Sequence, residues 1–540
     1  MYYQVYPAEA RQRGGSYKGR ITVRMSYSIN GVTQPVLEKV MGCVPIMVRS
    51  QACHLGGLTP QQLVKKGEHE QEFGGYFIVG GHERLLRMLQ TTRRNYPVAM
   101  KRDGWKKRGK NFSSLGVLLE CGKRDLTTTK NVLHFVTTGT AKFMFALNKE
   151  LFFVPVVMIL KCLKDVSDSY IYRRLLVGVG DDPYYQGNIV NMLRELQDEG
   201  LYSREQAQDY IGRSFRPKVG PLVPSWYTDR EVCTWLLRNC VAIHLDDDDA
   251  KFDIVCVMIK KLFSLVQDKC VVEGVDSLMM HEIIVGGHLY LQLLKEKLTD
   301  FRTILKTVIL QKAQKAGPTF DLTPTIMNNC AAKTGSLEKP FENFMGTGNL
   351  PSRTGLGLMQ DKGLTIMAEN INRMRFMSHF RAIHRGAFFT EMRTTEVRAL
   401  LPDAWGFVCP VHTPDGSPCG LLNHLATSVE VVTHLADTSK LPAVLALLGM
   451  VAVAEMESAE DLVDTLDVLL DGRLMGWVGR GAAADMVDKL RMLKVSATDL
   501  RVPHMTEIVL VPVRDIPGQF PGVFLFTGNI ILSFCIFYCA

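Results

Sequence analysis

Two cysteines and two histidines lie within one segment, 409–424, that also holds three prolines. Thiolate and imidazole are the usual zinc ligands, so Cys409, His412, Cys419 and His424 raise the hypothesis of a zinc-knuckle-like RNA-binding module with no catalytic role. Their order, Cys-x2-His-x6-Cys-x4-His, differs from the usual ligand frames, and the proline rings restrict how the ligands can converge. The pattern favours a rigid Pro-Asp-Gly turn that presents His412.

The acidic residues do not form a pattern typical of a catalytic metal site. Residues 246–249 are four adjacent aspartates that could hold a divalent cation, but they lack the glycine and the spaced oxygens of a calcium loop. A solvated turn is the favoured interpretation. No Asp-x-Asp-x-Asp cluster in a glycine-containing loop is present, and no Ser-His-Asp or Cys-His set is evident. We therefore predict no catalytic residue in this chain.

Two glycine-rich stretches suggest a phosphate-binding loop without matching one. Gly346-Thr347-Gly348-Asn349 and Gly355-Leu356-Gly357 lack both the Gly-Lys-Ser/Thr end of a Walker loop and the spacing of Gly-x-Gly-x-x-Gly. A mobile loop is the favoured interpretation, and a nucleotide-hydrolysing site at 346–357 is the alternative.

Positive charge is concentrated in residues 81–110. This window holds ten Lys or Arg against Glu83 and Asp103, so its net charge of +8 equals that of the whole chain. The cations include Arg93 and Arg94 and are interleaved with aromatic residues. Cations displace counterions from phosphates, and aromatic rings such as Tyr96 and Trp105 can stack on unpaired bases. The window indicates a nucleic-acid surface, with a solvated loop or internal ion pairs as an equal alternative.

Residues 372–385 predict a basic helix. At helical spacing, an apolar stripe is flanked on both sides by arginines and a histidine. The stripe consists of Phe376, Phe380 and Ile383, and the flanking residues are Arg373, Arg375, His379 and Arg381. The arginines could contact a phosphate backbone while the phenylalanines hold the helix to its core. An ordinary amphipathic helix with a charged outer face is the alternative.

Composition and apolar spacing predict the elements that position these residues. The 540 residues are 46% hydrophobic and 22% charged, which is typical of a folded chain of several domains. Thirteen cysteines without a Cys-x-x-Cys pair, and no basic-apolar leader, favour a reducing compartment. Strands are expected at 17–47, with a turn at Asn30-Gly31, and at 74–81, followed by a helix through Leu85, Leu86 and Leu89.

Further along, helices are expected at 156–163, 189–196, 232–241, 252–266 and 289–316. Residues 440–526 indicate a small separate α/β module with a hairpin turn at Asp471-Gly472 and a strand at 508–513.

Four ordered motifs resemble the second-largest (beta-type) subunit of DNA-directed RNA polymerases. They are Gly-Gly-Tyr-Phe-Ile-Val-Gly-Gly-His-Glu-Arg at 74–84, Arg-Arg-Asn-Tyr-Pro at 93–97, Ser-His-Phe-Arg at 378–381 and Trp-Gly-Phe-Val-Cys-Pro-Val-His-Thr-Pro-Asp-Gly at 405–416. His412, where other classes mostly carry Glu, together with the stretches 344–350 and 354–358, looks like the eukaryotic RNA polymerase I version.

The resemblance implies an α+β multidomain fold of the RNA polymerase beta-subunit type. Its parts would be a protrusion (1–97 and 286–340), a lobe (98–285), a fork (341–436), an external domain (437–527) and a divergent apolar tail (528–540). In that family the fork borders the active-centre cleft. By position, the nucleic-acid-binding or cleft-lining residues would be Arg93, Arg94, Arg373, Arg375, His379, Arg381, His384, Arg385 and His412.

The resemblance also implies a reaction and its partners. The reaction would be DNA-templated RNA synthesis from nucleoside triphosphates, in ribosomal RNA transcription, in the nucleus and nucleolus. Mg²⁺ would be supplied mainly by the largest subunit, with no cofactor bound by this chain alone. The partners would be the largest and other subunits, the DNA template and the RNA–DNA hybrid, with no membrane. Only about the N-terminal half of such a subunit is matched and the similarity stops after Thr527, so we expect a truncated product, inactive alone.

Overall fold

The computed structural model describes residues 4–534 apart from 30, 126, 148–149, 180, 225, 318–319, 359, 434–435, 456–463, 497–500 and 528–531. The chain forms two compact units. The first contains residues 1–91 and 283–429, and the second contains 92–282 and 430–540. Helices and sheets occur in both units, so the fold is α+β. Each unit holds more than one of the domains expected from the sequence, and their boundaries stay a prediction.

The first stretch of the chain is mainly β-structure. Its elements are α1 (Pro7–Gln12), β1 (Lys18–Met25), β2 (Ser28–Ile29), β3 (Val32–Thr33), β4 (Leu37–Pro45), α2 (Pro60–Lys65), β5 (Phe77–Val79), β6 (His82–Leu86) and β7 (Met88–Thr92). Strand β1 pairs antiparallel with β4, and β2 pairs with β3 across the turn predicted at 30–31. The strands expected at 17–47 are confirmed.

The second stretch combines an antiparallel sheet with a group of helices. Its elements are β8 (Pro97–Lys101), β9 (Phe112–Gly122), β10 (Thr128–Val136), β11 (Thr140–Leu147), β12 (Glu150–Pro155), α3 (Val156–Leu163), α4 (Asp168–Leu176), α5 (Pro183–Asp198), α6 (Arg204–Val219), α7 (Asp229–Cys240), α8 (Asp248–Val266) and β13 (His281–Ile284). The sheet order is β12-β11-β10-β9-β8. The four helices predicted within 156–266 are confirmed.

The aspartate quartet has a structural role at the start of α8. The Asp247 carboxylate accepts a hydrogen bond from the Asp249 backbone N–H at 3.2 Å. A carboxylate at this position satisfies one of the amide groups that a helix start leaves unpaired. The quartet is therefore a helix start rather than a cation site.

The third stretch returns to the first unit. Its elements are α9 (Gly286–Ala316), α10 (Pro324–Ala332), α11 (Glu338–Thr347), β14 (Thr365–Met367), α12 (Arg373–Phe380), β15 (Ala382–His384), β16 (Leu422–His424) and β17 (Val429–Val431). Helix α9 confirms the long helix predicted at 289–316. In the described part of the chain, no helix has both the length and the apolar character needed to cross a bilayer.

The helix predicted through Leu85, Leu86 and Leu89 is wrong, because these residues lie on β6 and β7. Leu85 pairs with Ile366 of β14, and Leu89 pairs with His384 of β15. Both leucines are buried in the first unit. A short apolar run is compatible with helix or strand, and here pairing with residues almost 300 positions away decides the outcome.

The fourth stretch completes the second unit. Its elements are α13 (Leu441–Leu447), β18 (Val451–Ala452), β19 (Thr465–Leu470), β20 (Arg473–Gly479), α14 (Arg480–Val495), β21 (Glu507–Val511), β22 (Gly522–Phe526) and β23 (Leu532–Phe534). The sheet order is β18-β20-β19-β22-β21, and β19 is parallel to β22. Apart from β23, the predicted tail lies outside the described residues.

The hairpin predicted at Asp471-Gly472 is confirmed between β19 and β20. Both residues have positive φ, +47° and +80°, as tight two-residue hairpin turns require. Position 472 also requires glycine for steric reasons, because a Cβ there would clash with the Asn95 carbonyl oxygen.

The core of the second unit is built around α8. Fifteen of its nineteen residues are buried, so the helix is covered on all sides. The surrounding core includes residues from both stretches of this unit, such as Tyr96, Trp477 and Phe524. The Tyr96 ring lies edge-on to Phe524 with 5.3 Å between centroids.

Four charged residues of α8 are buried, and each has a partner. Arg174 Nη2 lies 2.6 Å from Asp253 Oδ1, and Lys261 Nζ lies 2.8 Å from Glu273. Lys260 Nζ contacts both Asp467 oxygens at 2.7 and 2.8 Å. Lys251 Nζ donates to the Leu237 carbonyl at 2.8 Å. These pairs fix the helix to its neighbours, since an unpaired charge at this depth is strongly destabilising.

Removing one member of the buried pair Lys260–Asp467 is expected to destabilise the second unit. Lys260→Met leaves the Asp467 carboxylate buried without its cation, which costs about 3–5 kcal/mol. The free energy of unfolding in urea measures the effect. The double variant Lys260→Met/Asp467→Leu should recover much of the loss because no charge is then left buried.

The matched control is Lys218→Gln, which removes the exposed pair Lys218–Glu150. Its expected cost is below about 1 kcal/mol. If Lys260→Met and Lys218→Gln unfold at the same urea concentration, the buried pair does not fix α8.

Candidate nucleic-acid groove

Helix α12 carries three of the nine residues predicted to bind nucleic acid, Arg373, Arg375 and His379. The Asn372 side chain caps its first turn by accepting from the Arg375 N–H at 2.8 Å. Phe376 is its one buried residue, with its ring edge-on to Tyr76 at 6.1 Å and to Phe380 at 5.3 Å. The helix is shorter than the predicted 372–385, because the chain continues as strand β15. Most of α12 therefore faces outward.

The opposite side of the groove is formed by 405–412 and by the residues after β16. The Cys409 N–H donates to the His424 carbonyl at 2.9 Å, and the Ala426 N–H donates to the Phe407 carbonyl at 3.0 Å. Arg381 joins this wall to α12: its guanidinium donates to the Ala426 carbonyl, and its own carbonyl accepts from Leu425 at 3.0 Å. The groove between the walls has a volume of about 840 Å³.

Exposed apolar side chains line this groove beside the cations. Met374 is 78% exposed and Trp405 80% exposed, and both line it together with Arg375, Arg381 and His412. Sequence reasoning did not single out Met374 or Trp405 as site residues. Their positions follow from the folding of 405–412 against α12, for which the sequence has no periodic signal.

His412 stacks on His424, and both residues line the groove. The two rings are 3.5 Å apart and 5° from parallel. Burial lowers the pKa of His424 to about 4, with the neighbouring His412 as the next cause, so His424 is neutral near pH 7. The loop before His424 is fixed by Thr413, whose hydroxyl donates to the Leu422 carbonyl at 2.8 Å and accepts from Gly420 at 3.0 Å.

This geometry does not favour a zinc site. Within the described residues, no three side chains of His, Cys, Asp or Glu are placed to hold a metal ion. Cys419 is exposed, and His412 is stacked on His424. The eleven cysteines in the described part of the chain are free thiols.

The glycine-rich stretch at 346–357 is also structural. Gly348, at φ +75°, follows the end of α11 in the left-handed conformation common after helices. Downstream, the Ser352 and Thr354 hydroxyls donate to Glu296 of α9 at 2.6 and 2.8 Å. A carboxylate at this loop disfavours a phosphate ligand.

Arg93 and Arg94 are buried in ion pairs of the second unit and do not line this groove. Arg93 is 7% exposed, with Nη2 2.8 Å from Glu507, and Arg94 Nε lies 2.6 Å from Glu282. Arg94 also lines a separate cavity of about 640 Å³ in that unit. Tyr96 and Trp105 are buried as well, so neither ring is free to stack on a base.

His384 and Arg385 are buried in the first unit. His384 Nδ1 accepts from the Gly386 N–H at 2.9 Å, and burial lowers its pKa to about 4. The Arg385 guanidinium donates to the Val397 carbonyl at 2.9 Å and packs over the Phe389 ring. Neither side chain is among the residues that line the groove.

The remaining five predicted residues lie at or beside the groove. Arg373 is exposed, stacks on the Phe73 ring and donates to the Gln71 carbonyl at 3.0 Å. Arg375 Nε lies 2.9 Å from Glu369. The other three predicted residues are His379, Arg381 and His412. Burial, followed by the charge of Arg375, lowers the pKa of His379. Binding of nucleic acid by these residues stays a prediction.

Sequence profiles identify the class of protein as the RNA polymerase beta-subunit type. The sequence profile described as "RNA polymerase beta subunit" matches residues 1–338, and that described as "RNA polymerase Rpb2, domain 3" matches 366–431. The chain therefore belongs to the RNA polymerase beta-subunit family. A third profile, "RNA polymerase I, Rpa2 specific domain", matches 475–530, which narrows the relationship to RNA polymerase I.

Individual relatives agree. The chain is 46% identical over 526 residues to "DNA-directed RNA polymerase I subunit RPA2" of Drosophila melanogaster. It is 42% and 41% identical over 523 residues to the proteins of the same name from Mus musculus and Homo sapiens. Each alignment covers 97% of this chain and 46% of the relative. The chain thus spans about half the length of the relatives it matches.

The buried histidines are expected to make the first unit less stable in acid. Unfolded His424 binds a proton near pH 6.5, whereas in the fold its pKa is about 4, so stability is lost as pH falls from about 6.5 towards 4. His384 acts in the same direction. The measurement is the free energy of urea unfolding between pH 7 and 4.

His424→Gln should make this pH dependence shallower. The control His82→Gln, at an exposed position on β6 of the same unit, should leave it unchanged. A pH dependence in His424→Gln equal to that of the unaltered chain would contradict a neutral His424.

Proposed function

We propose that this chain is part of a DNA-directed RNA polymerase, in which it contributes to DNA-templated RNA synthesis from nucleoside triphosphates. The observation that carries the proposal is similarity to RNA polymerase I subunits over 97% of the chain, including the profile specific to that enzyme. The transcript would be ribosomal RNA and the compartment the nucleus, within it the nucleolus. The partners would be the largest subunit and other polymerase subunits.

Within that enzyme, the groove beside α12 forms part of a wall that faces the DNA template and the RNA–DNA hybrid. Arg373 and Arg375 are exposed, and Phe376 is the buried residue that packs α12 against the first unit. Such cations position a nucleic-acid backbone without reading its sequence. The exposed Trp405 ring adds a surface on which a base can stack.

Catalytic Mg²⁺ would be supplied mainly by the largest subunit. The described residues of this chain offer no group of three or more carboxylate, histidine or cysteine side chains suited to a metal ion. Nucleotidyl transfer with two metal ions depends on such a group. This chain's part in the reaction is accordingly to bind and orient nucleic acid.

Neutralising the exposed arginines of α12 is expected to weaken binding of an RNA–DNA hybrid. For Arg373→Gln/Arg375→Gln, the slope of log affinity against log salt should fall by about 2, because each phosphate contact adds close to one unit. Fluorescence anisotropy of the 540-residue chain with a labelled hybrid at several salt concentrations measures this slope.

The control Arg24→Gln/Arg302→Gln removes the same charge from exposed positions of the first unit on β1 and α9. Equal slopes for the two double variants would rule out the α12 groove as a nucleic-acid surface. A shared melting temperature shows that the α12 variant is folded.

The chain alone is expected to synthesise no RNA. In a primer-extension assay with template, nucleoside triphosphates and Mg²⁺, the purified 540-residue chain should leave the primer unextended. Polymerase holoenzyme serves as the positive control. Template-dependent extension by the isolated chain would show that the metal site lies within it, contrary to the proposal.

A further inference from the structure

The 3-10 turn Asp103–Arg108 in the second unit lies within a dense cluster of positive charge. None of these cations belongs to the α12 groove. Residues 101–110 present five exposed cations: Lys101, Arg102, Lys106, Lys107 and Lys110. A single acidic residue, Asp103, accompanies them, and its carboxylate lies 3.2 Å from Lys106 Nζ. Both members of that pair are largely exposed, so the pair contributes little to stability.

The turn is held from inside by Trp105 and Arg108. In a 3-10 helix, residues three apart lie on one face, so these two side chains point inward together. Trp105 is 4% exposed and packs so tightly on Gly116 of β9 that a Cβ there would lie 2.6 Å from its ring. The other turn residues are thereby directed outward.

Arg108 is held in place by a histidine and two aromatic rings. Its Nη1 donates to His134 Nε2 at 2.6 Å, and its guanidinium lies over the rings of Trp105 and Phe153. Since arginine has no acceptor, His134 must accept here and is neutral. Burial and the charge of Arg108 lower the pKa of His134 to about 3, which agrees with this arrangement.

The chemistry of the exposed side favours a nucleic-acid duplex over other polyanions. Trp105 and Tyr96 are both buried, so this surface has no ring on which an unpaired base can stack. The exposed large apolar side chains in the described residues do not include any from 97–150. A protein partner would normally require such apolar residues at the centre of its interface. Phosphate-backbone contacts require only cations and hydrogen-bond donors.

We infer that the turn 101–110 is a second nucleic-acid site, which binds the phosphate backbone of a duplex independently of its sequence. The inference rests on the proposed function in taking nucleic acid as the ligand, but its residues lie in the other unit from α12. Trp105 and Arg108 position the turn, and the five outward cations bind phosphates.

The test uses the 540-residue chain and a labelled 20-base-pair DNA duplex of random sequence. In Lys101→Gln/Lys106→Gln/Lys107→Gln/Lys110→Gln, the slope of log affinity against log salt should fall by about 2–4, with an affinity loss of about tenfold or more at fixed salt. The same four positions changed to Arg should retain the slope, because charge is kept.

The matched control Arg213→Gln/Arg238→Gln/Lys489→Gln/Arg491→Gln removes four exposed charges from other faces of the second unit. Equal slopes in the two quadruple Gln variants would overturn the inference. Undiminished duplex affinity, together with loss of poly-glutamate binding, would overturn it in favour of an acidic protein partner.

The turn 101–110 and the α12 groove can be tested independently. If the lysine variant loses slope while Arg373→Gln/Arg375→Gln matches its own control, the turn binds nucleic acid and the α12 groove does not. The converse result would overturn the inference about the turn and leave the proposed function standing.

Discussion

The second unit depends on one constraint: a fully covered helix, α8, carries charged residues that must be paired inside the protein. Burial of charge without a partner costs several kcal/mol, so each pair restricts where the neighbouring elements can lie. Lys260 requires Asp467 on β19, and Asp467 in turn accepts from the Trp477 indole N–H at 2.9 Å. Residues distant in the sequence are thus joined by a small number of directional contacts, in addition to apolar packing.

The first unit positions its groove by a different principle. Its walls are joined mainly by backbone hydrogen bonds and by Arg381. The Arg381 guanidinium donates hydrogen bonds to carbonyl oxygens of the opposite wall. Side chains on the groove surface, such as Met374 and Trp405, therefore contribute little to holding the fold together. Exposed apolar side chains grouped together and rimmed by polar residues are typical of a binding surface.

Sequence reasoning predicted regular elements well and side-chain roles less well. Helices such as α8 and α9, and the Asp471-Gly472 hairpin, follow from local spacing and turn chemistry. The sequence predicts a helix through Leu85 and Leu89, because local spacing does not reveal the strands that pair with them far along the chain. Arg93 and Arg94 look like surface cations in sequence, and only the fold shows that Glu507 and Glu282 neutralise them. Charge density locates a basic segment, but burial decides which of its cations face solvent.

The pairing of Arg93 with Glu507 also has a consequence for biosynthesis. These partners are separated by 414 positions, and a ribosome adds about 5–20 residues per second, so some 20–80 s pass between their syntheses. Throughout that interval the core around β8 lacks the apolar side chains of β22, such as Phe524 and Phe526. The nascent polypeptide must therefore keep apolar surface from aggregating until β22 emerges from the exit tunnel, which makes the second unit a natural client for chaperones during translation.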